Sequence, residues 1–134
     1  MYSVCLGLAV LYFFVLAASA LPVQEFVKRD NAGSGTYYDT GTGACGYTDN
    51  NNDPIVAISH LIYGDGGSCN QWVQITNPAN GKSQYGHVRD ECEGCGQNDL
   101  DMSPSLFQSL GESLSVGRFP ITWHYMDKNW SPSR

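Results

Sequence analysis

Positive charge is scarce in this chain: seven Lys and Arg stand against thirteen Asp and Glu in 134 residues, a formal net charge of −6. Beyond Arg29 the cations are Lys82, Arg89, Arg118, Lys128 and Arg134, scattered rather than clustered. The basic patch that nucleic acid or an anionic membrane surface requires is therefore missing, and neither is expected as a partner. Histidine is just as sparse. His60, His87 and His124 show no metal-ligand spacing, so no metal and no cofactor is expected. No internal repeat and no inter-domain linker interrupts the chain.

One long apolar run is present, CLGLAVLYFFVLAA, and Ala18-Ser19-Ala20 follows it with the small-x-small pattern a signal peptidase accepts. A run of about 15 residues falls short of the ~20 that span a bilayer, so residues 1–20 read as a secretion signal. Lys28-Arg29 forms a dibasic pair suited to a secretory-pathway protease, which makes 21–29 a propeptide and Asp30 the mature start. Residues 30–134 then carry five basic and twelve acidic side chains, a net charge of −7. They form one domain of about 105 residues, near the lower end of what a single core stabilises alone, and it is expected to be a secreted monomer.

Crosslinks fit that size. Cys5 leaves with the signal, and Cys45, Cys69, Cys92 and Cys95 remain, an even set that reads in a secreted chain as two disulfides of about 2–4 kcal/mol each. Three connectivities are open. A redox pair or half a zinc site at Cys92-x-x-Cys95 is the lesser reading, because no helix follows Cys92.

Residues 33–47 are rich in glycine, with Thr36 and Tyr38 on one face of a short strand that opens into a tight loop. After the polar turn 48–54, IVAIS reads as a buried strand, and 63–68 as another turn. WVQIT alternates with period two, and 77–81 closes a hairpin into 83–89. Ser103 at the N-cap, Pro104 at N1, apolar Leu106, Phe107 and Leu110, and Gly111 as the stop predict a two-turn helix. Phe119, Ile121, Trp123 and Tyr125 line one face of a last strand, with Trp123 in the core, and 127–134 is expected to fray. Short strands, glycine-rich turns and one short helix define a mainly β chain, a small barrel.

The densest stretch chemically is 87–110, with two carboxylates, two cysteines and the helix. Asp90 is expected at a strand end and Asp101 just before the helix, so that both face one groove. Tyr37, Tyr38, Tyr47 and Tyr85 are the rings free to reach it.

Five motifs, Gly35-Thr36-Tyr37-Tyr38, Ala44-Cys45-Gly46, Ile75-Thr76-Asn77-Pro78, Val88-Arg89-Asp90-x-Cys92 and Leu100-Asp101-Met102-Ser103-Pro104-x-x-Phe107, together resemble the double-psi β-barrel of the barwin, expansin and RlpA superfamily. The secreted single-domain format is similar to that of the fungal expansin-like loosenins. The resemblance covers nearly all of 33–126. It implies a six-stranded barrel with one or two short helices and an open groove that binds cell-wall polysaccharide, whether cellulose, chitin or a matrix glycan. By motif, Asp101 matches the aspartate that corresponds to the general acid of family-45 endoglucanases, Asp90 a second groove carboxylate and Thr36 a groove hydroxyl. Cys92 stands where expansins place a groove tyrosine. The barwin pattern implies Cys45–Cys92 and Cys69–Cys95, while plant expansins imply Cys45–Cys69; the barwin pairing is the one expected here. The second, carbohydrate-binding domain of full expansins is missing.

An inverting hydrolase needs a base beside the acid. Tyr37-Tyr38-Asp39 superficially resembles the site of that base, but Thr36 and Tyr38 share a face, so Asp39 points away. Non-hydrolytic loosening, in which Asp101, Asp90 and Thr36 bind sugar hydroxyls while a ring stacks on a pyranose, is thus expected ahead of weak endoglucanase activity. A module that binds a host or microbial protein, as protease inhibitor or effector, is the alternative from another class, with loops 48–54 and 63–68 as its contacts. At Asn129-Trp130-Ser131 a glycosylation sequon is followed by Pro132, which argues against its use.

Overall fold

The structure, a computed structural model, describes residues 19–21 and 29–133. Apart from 19–21 and Arg29, the expected signal and propeptide lie outside the described residues.

Six strands close into a barrel: β1 (Asn31–Tyr37), β2 (Ile55–Ser59), β3 (Trp72–Thr76), β4 (Ser83–Cys92), β5 (Leu100–Met102) and β6 (Phe119–Tyr125), in the order β1-β5-β2-β4-β3-β6. The pairs β1/β5 and β2/β4 are parallel and the other pairs antiparallel. Every residue of β2 is buried, as its unbroken apolar run anticipates. Inward side chains alternate along the other strands, so that Val73, Ile75, Val88, Leu100, Met102, Ile121 and Trp123 fill the interior around Val56 and Ile58.

One end is plugged by α2 (Pro104–Ser109), whose Leu106 and Phe107 are buried. Phe107 meets Phe119 edge-on at 4.8 Å. Ser103 stands at the expected N-cap but makes no cap hydrogen bond; its hydroxyl instead donates to Asp53 O at 2.6 Å. Gly111, with φ +89°, ends the helical segment as expected. A second short helix, α1 (His60–Tyr63), follows β2 directly, its first turn capped by the Ser59 hydroxyl accepting from Leu61 N at 3.1 Å.

The disulfides join Cys45 to Cys69 and Cys92 to Cys95, which overturns the expected barwin pairing. The cause lies in how β4 is flanked. Its ladder with β3 stops at Trp72↔His87, and beyond it two loops take the vacated edge, Cys45 N donating to Arg89 O and Asn70 N to Val88 O. Cys45 and Cys69 meet there, with Cα atoms 5.7 Å apart. Cys92 faces the other flank, opposite Ser59 of β2, and Cys95 sits beside it because the Ser59 hydroxyl donates to Cys95 O.

The C-terminal tail does not fray. Trp130 N donates to Asp127 O at 2.9 Å to form a turn, and the Trp130 ring lies 4.5 Å from that of Tyr85.

Gly86 faces the interior of β4, where a Cβ would run into Val56 and Leu106. Gly86→Ala is expected to destabilise the fold by about 1–3 kcal/mol through overpacking, read as a lower urea midpoint with an unchanged m-value.

Candidate functional site

The site grows from the register of four neighbouring strands. Thr36 of β1 stands opposite Asp101 of β5, Asp101 opposite Ala57 of β2, and Ala57 opposite Asp90 of β4. Cross-strand partners share a face of the sheet, so Thr36, Asp101, Ala57 and Asp90 form one row across the outside of the barrel. Leu100 and Met102, on either side of Asp101, point into the core.

Asp90 joins the row because of a bulge. Val56 pairs with Val88, but Ala57 pairs with Asp90, leaving Arg89 as the extra residue. Without it, Asp90 would share the parity of Val88 and face the interior. The carboxylate is then held from three sides: Oδ1 accepts from Ala44 N and Glu91 N, each at 2.8 Å, and Oδ2 accepts from the Tyr38 hydroxyl at 3.2 Å. Gly43 makes this possible, since any Cβ there would strike Arg89 O and hold the loop off the strand. Burial first, and then the charge of Asp90 and the hydrogen bond to it, push the Tyr38 phenol well above its ordinary value, so Tyr38 remains a donor.

Asp101 is held differently. One side chain is seen to reach it, the Thr36 hydroxyl, which donates to Oδ1 at 2.8 Å. Burial pushes its carboxyl above the ordinary value; the Thr36 hydrogen bond opposes this and the charge of Asp90 adds to it. A half-buried carboxyl with a raised pKa keeps its proton to higher pH than a free aspartate does. The Cα atoms of Asp101 and Asp90 are two strand spacings apart, about 10 Å, so separation does not forbid the two-carboxylate arrangement of an inverting hydrolase. What argues against Asp90 as a base is that both of its oxygens already accept from donors, Oδ1 from two amides and Oδ2 from Tyr38. Asp39 lies outside the row, exposed, and accepts from Asn51 Nδ2 at 3.1 Å. No enclosed cavity adjoins the row among the described residues.

The four tyrosines part company. Tyr38 lies at the row. Tyr37, expected at the groove, is on the opposite face of β1 and packs on Phe107 with centroids 5.0 Å apart, the consequence of strand alternation. Tyr47 carries the Arg89 guanidinium 4.0 Å from its centroid and accepts from Asn70 Nδ2. Tyr85 sits farther along β4 under Trp130. Two features escaped sequence reasoning. Arg89 ties the loops together through Asn70 Oδ1 at 2.9 Å and Asp49 at 3.7 Å, and Trp72 and His87 stack at 4.3 Å and 3°. Adjacent strands with matched parity were the available signal for the stack, but only once the register was known.

This closed barrel with its row of hydroxyl and carboxylates places the chain in the double-psi β-barrel superfamily that includes barwin and the expansins. No family model matches it. Among curated proteins it is 32% identical over 110 residues to a ripening-related protein of Oryza sativa, covering 78% of this chain but 62% of the relative, so the chain spans less than two thirds of that protein. Among solved structures it resembles a mutant expansin of Clavibacter michiganensis in complex with cellohexaose, at 25% identity and TM-score 0.68, covering 78% of this chain and 54% of that one. It also resembles a Streptomyces papain inhibitor at 29% identity and TM-score 0.64, over 73% of this chain and 94% of the inhibitor.

Because the fold raises the Asp101 pKa, this group favours the folded state most at pH below the ordinary aspartate value, and that contribution is lost as pH rises through the raised value. Asp101→Asn, which keeps an acceptor for Thr36, is therefore expected to raise the melting temperature at neutral pH, with the gain shrinking as pH falls into the acid range. A gain that grows on acidification would contradict the assignment.

Proposed function

We propose that the chain is a secreted expansin-like protein of the loosenin kind, which binds cell-wall polysaccharide along the Thr36–Asp101–Asp90 row and loosens it without hydrolysis. The observation that carries this reading is the unequal state of the two carboxylates. Asp101 is half-buried with Thr36 as its side-chain partner, whereas Asp90 is committed to Ala44, Glu91 and Tyr38. The row supplies an acid and hydrogen-bonding groups but lacks an unengaged base, so it competes for sugar hydroxyls rather than activating water. The cellohexaose complex of the Clavibacter expansin supports a glycan as ligand, and the two disulfides suit an oxidising compartment. In this reading the signal 1–20 is removed and cleavage after Lys28-Arg29 leaves Asp30 at the mature terminus.

The likeness to the papain inhibitor, which extends over 94% of that protein, supports a second reading as a protease inhibitor. Leu61, 61% exposed on α1, is the apolar side chain such a contact would use.

The deciding experiment treats cellulose paper and chitin film with residues 30–134 and with Asp101→Asn, and assays papain inhibition alongside. Tensile weakening by the parent, lost in the variant and without release of soluble sugar, is the expected result. Steady release of oligosaccharides would establish hydrolysis instead, and papain inhibition without weakening would establish the inhibitor.

A further inference from the structure

We propose that the outward face of β4 carries a second carbohydrate subsite, with Trp130 and Tyr85 as its ring platform and the Trp72–His87 stack as the step between that platform and the Asp90–Asp101 row. This rests on the reading of the row as a polysaccharide site and extends it to a long, neutral, extended glycan chain.

The platform is built by the tail. Met126 N donates to Trp72 O and Gln71 Nε2 to Met126 O, each at 2.8 Å, which extends the β3/β6 pairing past Tyr125 and anchors the start of the tail. The turn closed by Trp130 N then sets the indole against Tyr85, with rings inclined at 47°, and Lys128 Nζ reaches Gly67 O at 3.4 Å. Neither ring belongs to the core, and both remain partly exposed. A partly exposed indole braced by Tyr85 outside the core offers an amphipathic ring face of the kind sugars use.

Position and charge select the ligand. Tyr85, His87 and Arg89 alternate with the inward Gly86 and Val88, so successive outward side chains stand about 7 Å apart, an interval comparable to one pyranose. From Tyr85 to Asp90 is about 17 Å along the same strand, room for several sugar units and far more than a single one. The face is close to neutral: Arg89 is neutralised by Asp49, and burial together with Arg89 lowers the His87 pKa, leaving the stack uncharged. Gln74, its amide 3.5 Å from the Tyr85 hydroxyl, adds a polar group suited to sugar hydroxyls. A near-neutral run of rings that reaches the carboxylate row past the Arg89–Tyr47 pair fits a β-linked neutral polysaccharide better than an anionic one.

The test is calorimetric titration with cellobiose and cellohexaose and with the matching chitin oligomers, using the parent, Trp130→Ala, Trp130→Phe and Asp101→Asn. Trp130→Ala is expected to bind the hexamer roughly tenfold more weakly with the dimer unchanged, Trp130→Phe to bind close to the parent, and Asp101→Asn to lose affinity for both lengths. If Trp130→Ala binds the hexamer as the parent does while Asp101→Asn is impaired, the second subsite is overturned and the row stands. Equal loss for dimer and hexamer in Trp130→Ala also overturns it. A parent that binds neither series overturns the row and the subsite together.

Discussion

The arrangement depends on one irregularity, the bulge at Arg89 in the parallel pairing of β2 and β4. A strand passing from the core to a functional surface has a parity problem, because Val88 must face inward to fill the barrel and Asp90, two residues on, would follow it. The extra residue shifts the parity by one, which sends Asp90 outward beside Ala57, next to the already outward Arg89. The flanking loops deliver the Ala44 amide that holds Asp90 and bring Cys45 to Cys69. The loop on one edge of β4 and the bulge on the other thus meet at the Asp90 carboxylate.

Two aspartates placed in one row are given different partners by their surroundings. Asp90 exchanges water for two backbone amides and a phenol, each hydrogen bond to an ionised group being worth more than a neutral one. Asp101 gives up water for the Thr36 hydroxyl and the Met102 amide, and burial penalises its charge by more than these offset. The three donors on Asp90 make it a brace for the loop and for Tyr38.

Much of this was legible in the residues. Ser103, Pro104 and Gly111 bound the helical segment, alternation in FPITWHY placed Trp123 inside, and the five motifs pointed to the barrel. The opposite orientation of Tyr37 was also available, since Thr36 and Tyr38 sharing a face leaves Tyr37 on the other. The bulge was not legible, because it is a property of two strands separated by a long stretch of chain rather than of either one. The disulfide pairing depended on where the β3 ladder ends, and of the two patterns the resemblance offered, the plant-expansin one gave Cys45–Cys69. Trp130 lay in a short polar tail with no periodicity, where nothing local announces that the chain turns back.

The same barrel is found in an expansin with cellohexaose bound and in a papain inhibitor, so the fold leaves function open. Side chains outside the core have to decide. A protease-binding surface would be expected to concentrate apolar contact on protruding loops, and Leu61 is the exposed residue of that type on α1. The outer face of the barrel contains hydroxyl, amide, carboxyl and ring groups in continuous register from Thr36 across to Asp90 and along β4 to Tyr85. A ligand using all of it must be long, mostly uncharged and rich in hydroxyls, with flat apolar faces between them. A glycan chain has that alternation of polar rim and apolar face in every unit, whereas a peptide presents its side chains irregularly. The continuity of the face, more than any one residue on it, therefore favours polysaccharide over protein.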